Sequence, residues 1–342
     1  MTNALSDTAN PCRRRLLGIA AITAAAAEFG VLGAARAASA PASGFPPLRQ
    51  IDAGPLSIGY VDMGPASGAP VILLHGWPYD IYSFADAAPL LVKAGHRVII
   101  PYLRGYGSTV FRAADTVRNG QQAALALDVI ALMDALKIRK AVLAGFDWGA
   151  RTAGIVAALW PERCGGLVSV SGYLIGSQRA NEAPLPPAAE LAWWYQFYFA
   201  TERGRLGYER NRHDFNKLIW RTASPQWRFD DATYERSARA FDNPDHVAIV
   251  IHNYRWRLGL APGEARYDAY EQKLAAFPAI ATPTITMEGD ANGAPHPQPE
   301  NYRAKFTGPY AHRLITGGIG HNLPQEAPAA FAEAVLAIAG PA

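Results

Sequence analysis

The stretch from Lys140 to Arg151, Lys-Ala-Val-Leu-Ala-Gly-Phe-Asp-Trp-Gly-Ala-Arg, constrains this chain more than any other. Residues 141–144 form a short apolar run, long enough for a buried strand and too short for a helix. Residues 150–159 read as a small-residue helix, with Pro161 just beyond its end. Between them, Gly145-Phe146-Asp147-Trp148-Gly149 is a turn flanked by glycines. This is the strand–turn–helix setting of a nucleophile elbow, with Asp147 where the serine of Gly-x-Ser-x-Gly stands. The glycines let a strained turn close and let the helix pack near the strand. The Asp147 carboxylate then sits above the sheet edge at a helix N-terminus, whose N–H groups keep it ionised. A carboxylate so placed can attack carbon and form an alkyl-enzyme ester. Taken alone, the turn also fits an N-cap aspartate in an ordinary βα connection.

The surrounding chain supplies a sheet for that elbow. Residues 56–63, 71–74, 97–100, 141–144 and 166–170 read as strands, and residues 121–136 show helical periodicity. Apolar strands alternating with helices predict an α/β fold with a doubly wound, mostly parallel sheet. From about Gly172 to Ala275 the chain turns rich in Trp, Tyr, Arg and Asn, with helical spacing and no clear strand, which predicts an inserted helical cap. Residues 284–287 and 312–315 resume the sheet, and a helix from about Pro328 to Ile338 closes the chain. The expected organisation is a leader at 1–40, a first core segment at 41–171, the cap at 172–275 and a second core segment at 276–342.

Half of the 342 residues are apolar and 18% are charged, enough for a sizeable core and too apolar for disorder. Four arginines (13, 14, 15 and 36) against Asp7 and Glu28 place +2 of the net +3 in the leader. The remaining +1 gives no reason to expect a nucleic-acid partner. The leader reads as an export signal: Arg13-Arg14-Arg15, an Ala-rich run, then small-residue cleavage sites at Ala35-Arg36-Ala37 and Ala38-Ser39-Ala40. The consecutive arginines resemble a bacterial twin-arginine signal, so a periplasmic or secreted location is expected, with no stable membrane insertion after cleavage. A mature chain keeps Cys164 and loses Cys12, leaving no internal disulfide. The eight histidines lack paired ligand spacing, so no metal is expected. Gly105-Tyr106-Gly107 lacks the third glycine and the helix start of a nucleotide loop, and no cofactor is expected either.

With strands, elbow and a late Gly320-His321 in the order nucleophile, acid, histidine, residues 45–340 resemble an α/β-hydrolase. An aspartate at the elbow together with His75-Gly76-Trp77-Pro78 resembles the branch of epoxide hydrolases and haloalkane dehalogenases. The resemblance implies an oxyanion hole from the backbone N–H groups of Trp77 and Trp148. Pro78 permits a cis peptide after Trp77. Trp194-Tyr195-Gln196-Phe197-Tyr198-Phe199 and Asn253-Tyr254-Arg255 resemble the segments in which epoxide hydrolases carry two cap tyrosines, implying Tyr195 and Tyr254. Two phenols over the nucleophile can hold or protonate the oxygen of an opening epoxide, whereas a halide leaves without a proton. Haloalkane dehalogenases favour Asn where this chain has Trp77, and haloacetate dehalogenases carry Asp-Arg-x-x-Arg, of which only Arg151 matches.

His321, in a Gly-rich loop after the last strand, is placed to take a proton from the water that attacks the Asp147 ester. Its acid is less plain. The family pattern Gly-x-x-Asp falls on Gly289-Asp290-Ala291-Asn292, which puts Asn292 at the acid position, and the alternative position falls near Ser171. Three readings stay open: Asp290 reaches His321 through a shifted turn, Asn292 orients the imidazole without charge, or the second half-reaction is impaired; Asp290 is taken as the partner. The expectation is a hydrolase that opens a small apolar epoxide to a diol. A dehalogenase using the same nucleophile is the rival, and a non-catalytic ligand-binding protein on this fold is the rival from outside enzymes. Oligomeric state is left open.

Overall fold

The computed structural model describes residues 44–340. The leader, with its arginines and Cys12, lies outside the described residues. Nine strands form one sheet: β1 Arg49–Ala53, β2 Leu56–Met63, β3 Pro70–Leu74, β4 Arg97–Pro101, β5 Val110–Phe111, β6 Ala141–Gly145, β7 Cys164–Val170, β8 Thr284–Gly289 and β9 Tyr310–Ile315. Their order is β1-β2-β4-β3-β6-β7-β8-β9, with β5 paired to β2. All pairings from β4 through β9 are parallel, and those made by β2 are antiparallel. The sheet is thus the mostly parallel one expected, with β1 and β5 added at its antiparallel end. Neither gives a strong signal: β1 is largely polar and exposed, and β5 is two residues long.

The central strands are apolar because both faces are covered. Every residue of β6 is buried, and so are all six of β8. Helices α1 (Ala88–Lys93), α2 (Gln122–Ala135) and α3 (Trp148–Leu159) belong to the first half of the chain, and α2 packs against α3. Cys164 starts β7 as a buried free thiol whose pKa burial pushes up to about 12.

Between β7 and β8 the chain runs through α4 Pro187–Ala192, α5 Trp194–Ala200, α6 Glu202–Ala223, α7 Asp231–Ala238, α8 His246–Arg257 and α9 Asp268–Ala275. Thr201 caps α6 by accepting from Gly204 N–H, and Asp230 caps α7 by accepting from Thr233 N–H. Helix α5 packs on α6 and α8 through an aromatic cluster. Helices α10 (Pro299–Tyr302), α11 (Leu323–Glu326) and α12 (Pro328–Ala339) complete the fold, α12 packing on β7 and on α1.

This topology gathers five loops at the carboxyl ends of β3, β6, β7, β8 and β9, the end where open α/β sheets place ligands. No helix among the described residues is long and apolar enough to cross a membrane.

Candidate active site

The elbow is built as strand, strained residue, helix. Asp147 sits at φ 51° and ψ −124°, a region that costs a non-glycine residue about 1–3 kcal/mol. The strain is held by backbone bonds on both sides: Phe146 N–H donates to Leu74 O, and Arg151 N–H to Asp147 O. A Cβ on Gly149 would lie 1.9 Å from Leu74 O, so only glycine lets α3 start this close to β3.

At the end of β3, Trp77 N–H donates to Asp147 Oδ1 at 2.7 Å. Gly76 makes that approach possible, since a Cβ there would meet the Asp147 side chain at 2.4 Å. The peptide between Trp77 and Pro78 is cis. His75 holds the loop from behind: its Nδ1 donates to Gly76 O at 3.0 Å and its Nε2 accepts from Leu103 N–H at 3.1 Å. Complete burial lowers the His75 pKa to about 4, so the ring is neutral, as this donor–acceptor pair requires.

Burial alone would raise the Asp147 pKa. The His321 imidazole and the N–H groups of Trp77 and Trp148 outweigh it and hold the carboxyl below its usual range. Asp147 is therefore an anion at neutral pH. Its Oδ1 occupies the donor site that an oxyanion would use, while Oδ2 lies 3.6 Å from His321 Nε2, beyond hydrogen-bond range.

A cavity of about 880 Å³ opens over Asp147 and is lined by Trp77, Trp148, Tyr195, Tyr254 and His321 among others. Tyr195 comes from α5 and Tyr254 from α8; their rings meet edge to face at 5.4 Å. Both pack on the Trp77 ring, at 5.0 and 5.2 Å. The Trp77 indole is fixed in turn by its Nε1–H, which donates to Tyr208 Oη at 2.9 Å. Burial, then the Asp147 charge, raises the Tyr195 pKa; burial, then Tyr195 and Asp147, raises that of Tyr254. Both phenols remain proton donors well above neutral pH. Arg151 is buried beside the cavity, its Nη2 3.4 Å from Asn253 Oδ1.

The expected partnership of Asp290 with His321 is not what the structure has. The exposed Asp290 carboxylate accepts three backbone N–H groups, those of Gly317, Gly318 and Ile319, each at 2.9 Å. It shapes the loop that leads to His321 and does not touch the ring. Asn292 Oδ1 does, at 3.2 Å from His321 Nδ1. Two neighbours fix the Asn292 amide: Ala294 N–H donates to Oδ1 at 2.9 Å, and Nδ2 donates to Glu288 Oε1 at 2.7 Å. With Oδ1 an acceptor, His321 Nδ1 must carry the proton, and the Nε2 lone pair faces the Asp147 side. Ser171, at the alternative acid position, accepts from the same Nδ2 at 3.3 Å.

Glu326 secures the rest of the His321 loop by accepting Gly320 N–H, Asn322 N–H and the Ser224 hydroxyl, and that hydroxyl oxygen accepts His321 N–H. The structure thus brings Asp147, His321, Tyr195, Tyr254, Trp77 and Trp148 to one cavity and leaves Asp290 outside it. Sequence reasoning missed Glu288 and Glu326, and gave His75 no role beyond its place in the His75-Gly76-Trp77-Pro78 run. Glu288 left a trace as a lone carboxylate in the buried strand Thr284-Ile-Thr-Met-Glu-Gly. Among the described residues no group of three or more His, Cys, Asp or Glu could hold a metal ion.

Comparisons with known proteins fit this geometry. The family model described as alpha/beta hydrolase fold matches residues 69–212. Epoxide hydrolase B of Mycobacterium tuberculosis is 35% identical over 150 residues, covering 40% of this chain and only 41% of that protein. A haloalkane dehalogenase of Mycolicibacterium paratuberculosis is 28% identical over 222 residues, covering 60% of this chain and 67% of that one. A crystal structure from Klebsiella pneumoniae, provisionally described as an epoxide hydrolase, is 66% identical, covers 87% of this chain and 99% of its own, and superposes with a TM-score of 0.86. At that identity and coverage, the chain belongs to the α/β-hydrolase family, in the branch that holds proteins named epoxide hydrolase and haloalkane dehalogenase, and the alignment spans about 41% of the length of the curated epoxide hydrolase.

Proposed function

We propose that this enzyme opens an epoxide to a vicinal diol through a covalent Asp147 ester. The observation that carries the reading is the pair of protonated phenols, Tyr195 and Tyr254, facing the same cavity as an ionised aspartate. Asp147 Oδ2 attacks a ring carbon as the carbon–oxygen bond of the ring breaks, and the phenols hold the released oxygen and supply its proton. Asp147 Oδ1 is then the ester carbonyl oxygen, already bonded to Trp77 N–H. His321 Nε2 takes a proton from water, whose oxygen adds to Cγ. The N–H groups of Trp77 and Trp148 hold the resulting oxyanion. Cleavage of Cγ–Oδ2 releases the diol and the proton on His321 returns to its alkoxide, while Asp147, left as the carboxylic acid, gives up the second proton of the water to restore the phenol and its own charge.

The test is single-turnover mass spectrometry of the mature protein with styrene oxide and, separately, a chloroalkane. A transient adduct on Asp147 with diol release is expected from the epoxide; no adduct from styrene oxide, with chloride released from the chloroalkane, would replace this reading. One observation favours that second reading. The Trp148 indole Nε1–H is buried without a hydrogen-bond partner among the described residues, and Trp148 lines the cavity, where that donor could serve a departing halide.

We propose further that the leader exports the folded enzyme. Replacing Arg13 and Arg14 by lysine should hold it in the cytosol, and unchanged export of that variant would contradict the signal.

A further inference from the structure

Glu288 is a carboxylate in an unusual place. It lies at the end of β8, is 7% exposed, and has no lysine or arginine partner among the described residues. Its Oε1 accepts from Asn292 Nδ2 at 2.7 Å and from its neighbour Gly289 N–H at 3.2 Å; its Oε2 lies 3.8 Å from His296 Nε2. A buried carboxylate needs compensation, and here the closest contact is the side chain that touches His321. The two positions from which the resemblance would draw an acid carry Ser171 and Asn292, both neutral and bonded to each other.

We propose that Glu288 is the positioning residue that supplies His321 with its negative charge, one amide removed, through Asn292. This rests on the reading above, in which His321 becomes an imidazolium during ester hydrolysis. Glu288 acts in two ways. As an obligate acceptor it forces Nδ2 of Asn292 toward itself, so Oδ1 faces His321 and fixes the Nδ1–H tautomer. As a charge it polarises the amide, making Oδ1 a better acceptor for an imidazolium. The arrangement also accounts for Asn at position 292. An aspartate there would face Glu288 at 2.7 Å, and two carboxylates that close cannot both ionise. The other titratable groups facing His321 are Asp147 at 3.6 Å, Glu326 on α11 and the Tyr79 ring at 6.0 Å, while His296 faces Glu288.

The experiment times the two half-reactions with styrene oxide, following ester formation and ester loss by quenched-flow mass spectrometry across a pH series. Glu288→Gln keeps an oxygen that can accept from Asn292 and removes the charge together with the obligate-acceptor character. Ester formation should stay within about twofold of the parent, while ester hydrolysis slows by about tenfold or more and the adduct accumulates. Without the charge the imidazolium is less stable, so the pH at which hydrolysis rises should move downward. In Asn292→Asp/Glu288→Gln the charge is placed directly against His321, and hydrolysis should recover to at least the parent rate. Equal hydrolysis rates and pH profiles in parent and Glu288→Gln would overturn the proposal, as would a double variant as slow as Glu288→Gln. Absence of any adduct in the parent would instead remove the epoxide reading beneath it.

Discussion

Tyr195 and Tyr254 face an anion across a largely apolar cavity, and that setting decides their protonation. Burial and the charge of Asp147 both favour the neutral phenol, so ionisation moves above the ordinary tyrosine value near 10. The sign follows directly: a donor whose pKa is raised keeps its proton to higher pH. Ester formation, followed by stopped-flow tryptophan fluorescence, should show no decline as pH passes through 10; a decline centred there would contradict the assignment. Converting both residues to phenylalanine should slow ring opening by about 10²–10⁴-fold, the range for general acid catalysis, with each single variant less affected. Chloride release from a chloroalkane should not depend on them. The placement of Asp147 at a turn followed from a local strand–turn–helix pattern, and that of the two phenols from segments that resemble the cap segments of epoxide hydrolases. The mistaken Asp290 shows the converse. Three N–H groups from a loop 27 to 29 residues downstream claim its carboxylate, and no local pattern announces that.

At the level of elements, the ends of β3 and β6 form one unit, in which glycine contacts and a neutral histidine hold the Trp77 N–H against the Asp147 carboxylate. His75 is neutral in the fold with a pKa near 4, against 6.5 ordinarily. Between those values the unfolded chain binds a proton that the native state refuses. Its contribution is therefore intact above about pH 6.5 and lost as pH falls toward 4, on the order of 3 kcal/mol. His246, lowered to about 3 by burial, adds in the same direction. The Tm of the parent should fall more steeply between pH 6.5 and 4 than that of His75→Gln; parallel curves would show that His75 is not the group refused a proton. The strands of the parallel core were readable as apolar runs because both faces are buried. Strands β1 and β5 were not, since an edge strand of polar residues and a two-residue strand have no periodicity to read.

Across the whole molecule, Asp147 and His321 come from sheet loops and Tyr195 and Tyr254 from the helices between β7 and β8, so the proposed ring opening depends on how those helices seat. One tie is the Trp220 indole of α6, which donates to Pro78 O at 2.7 Å and stacks on Tyr79 at 5.0 Å. Trp220→Phe leaves that carbonyl without its donor and should cost about 1–3 kcal/mol, visible as a lower Tm by calorimetry, with ring opening slowed more than ester hydrolysis. An unchanged Tm would show the tie to be dispensable. Such ties join residues far apart in sequence, which is why the order of elements could be read from the chain and their seating could not. The covalent Asp147 ester is the claim on which the rest depends, and a single turnover in heavy-oxygen water with enzyme in excess tests it most directly. Water attacks Cγ and not the epoxide carbon, so the diol should carry no heavy oxygen and the peptide containing Asp147 should gain it. Heavy oxygen in the diol and none in the peptide would mean direct attack by water, and would contradict the covalent mechanism.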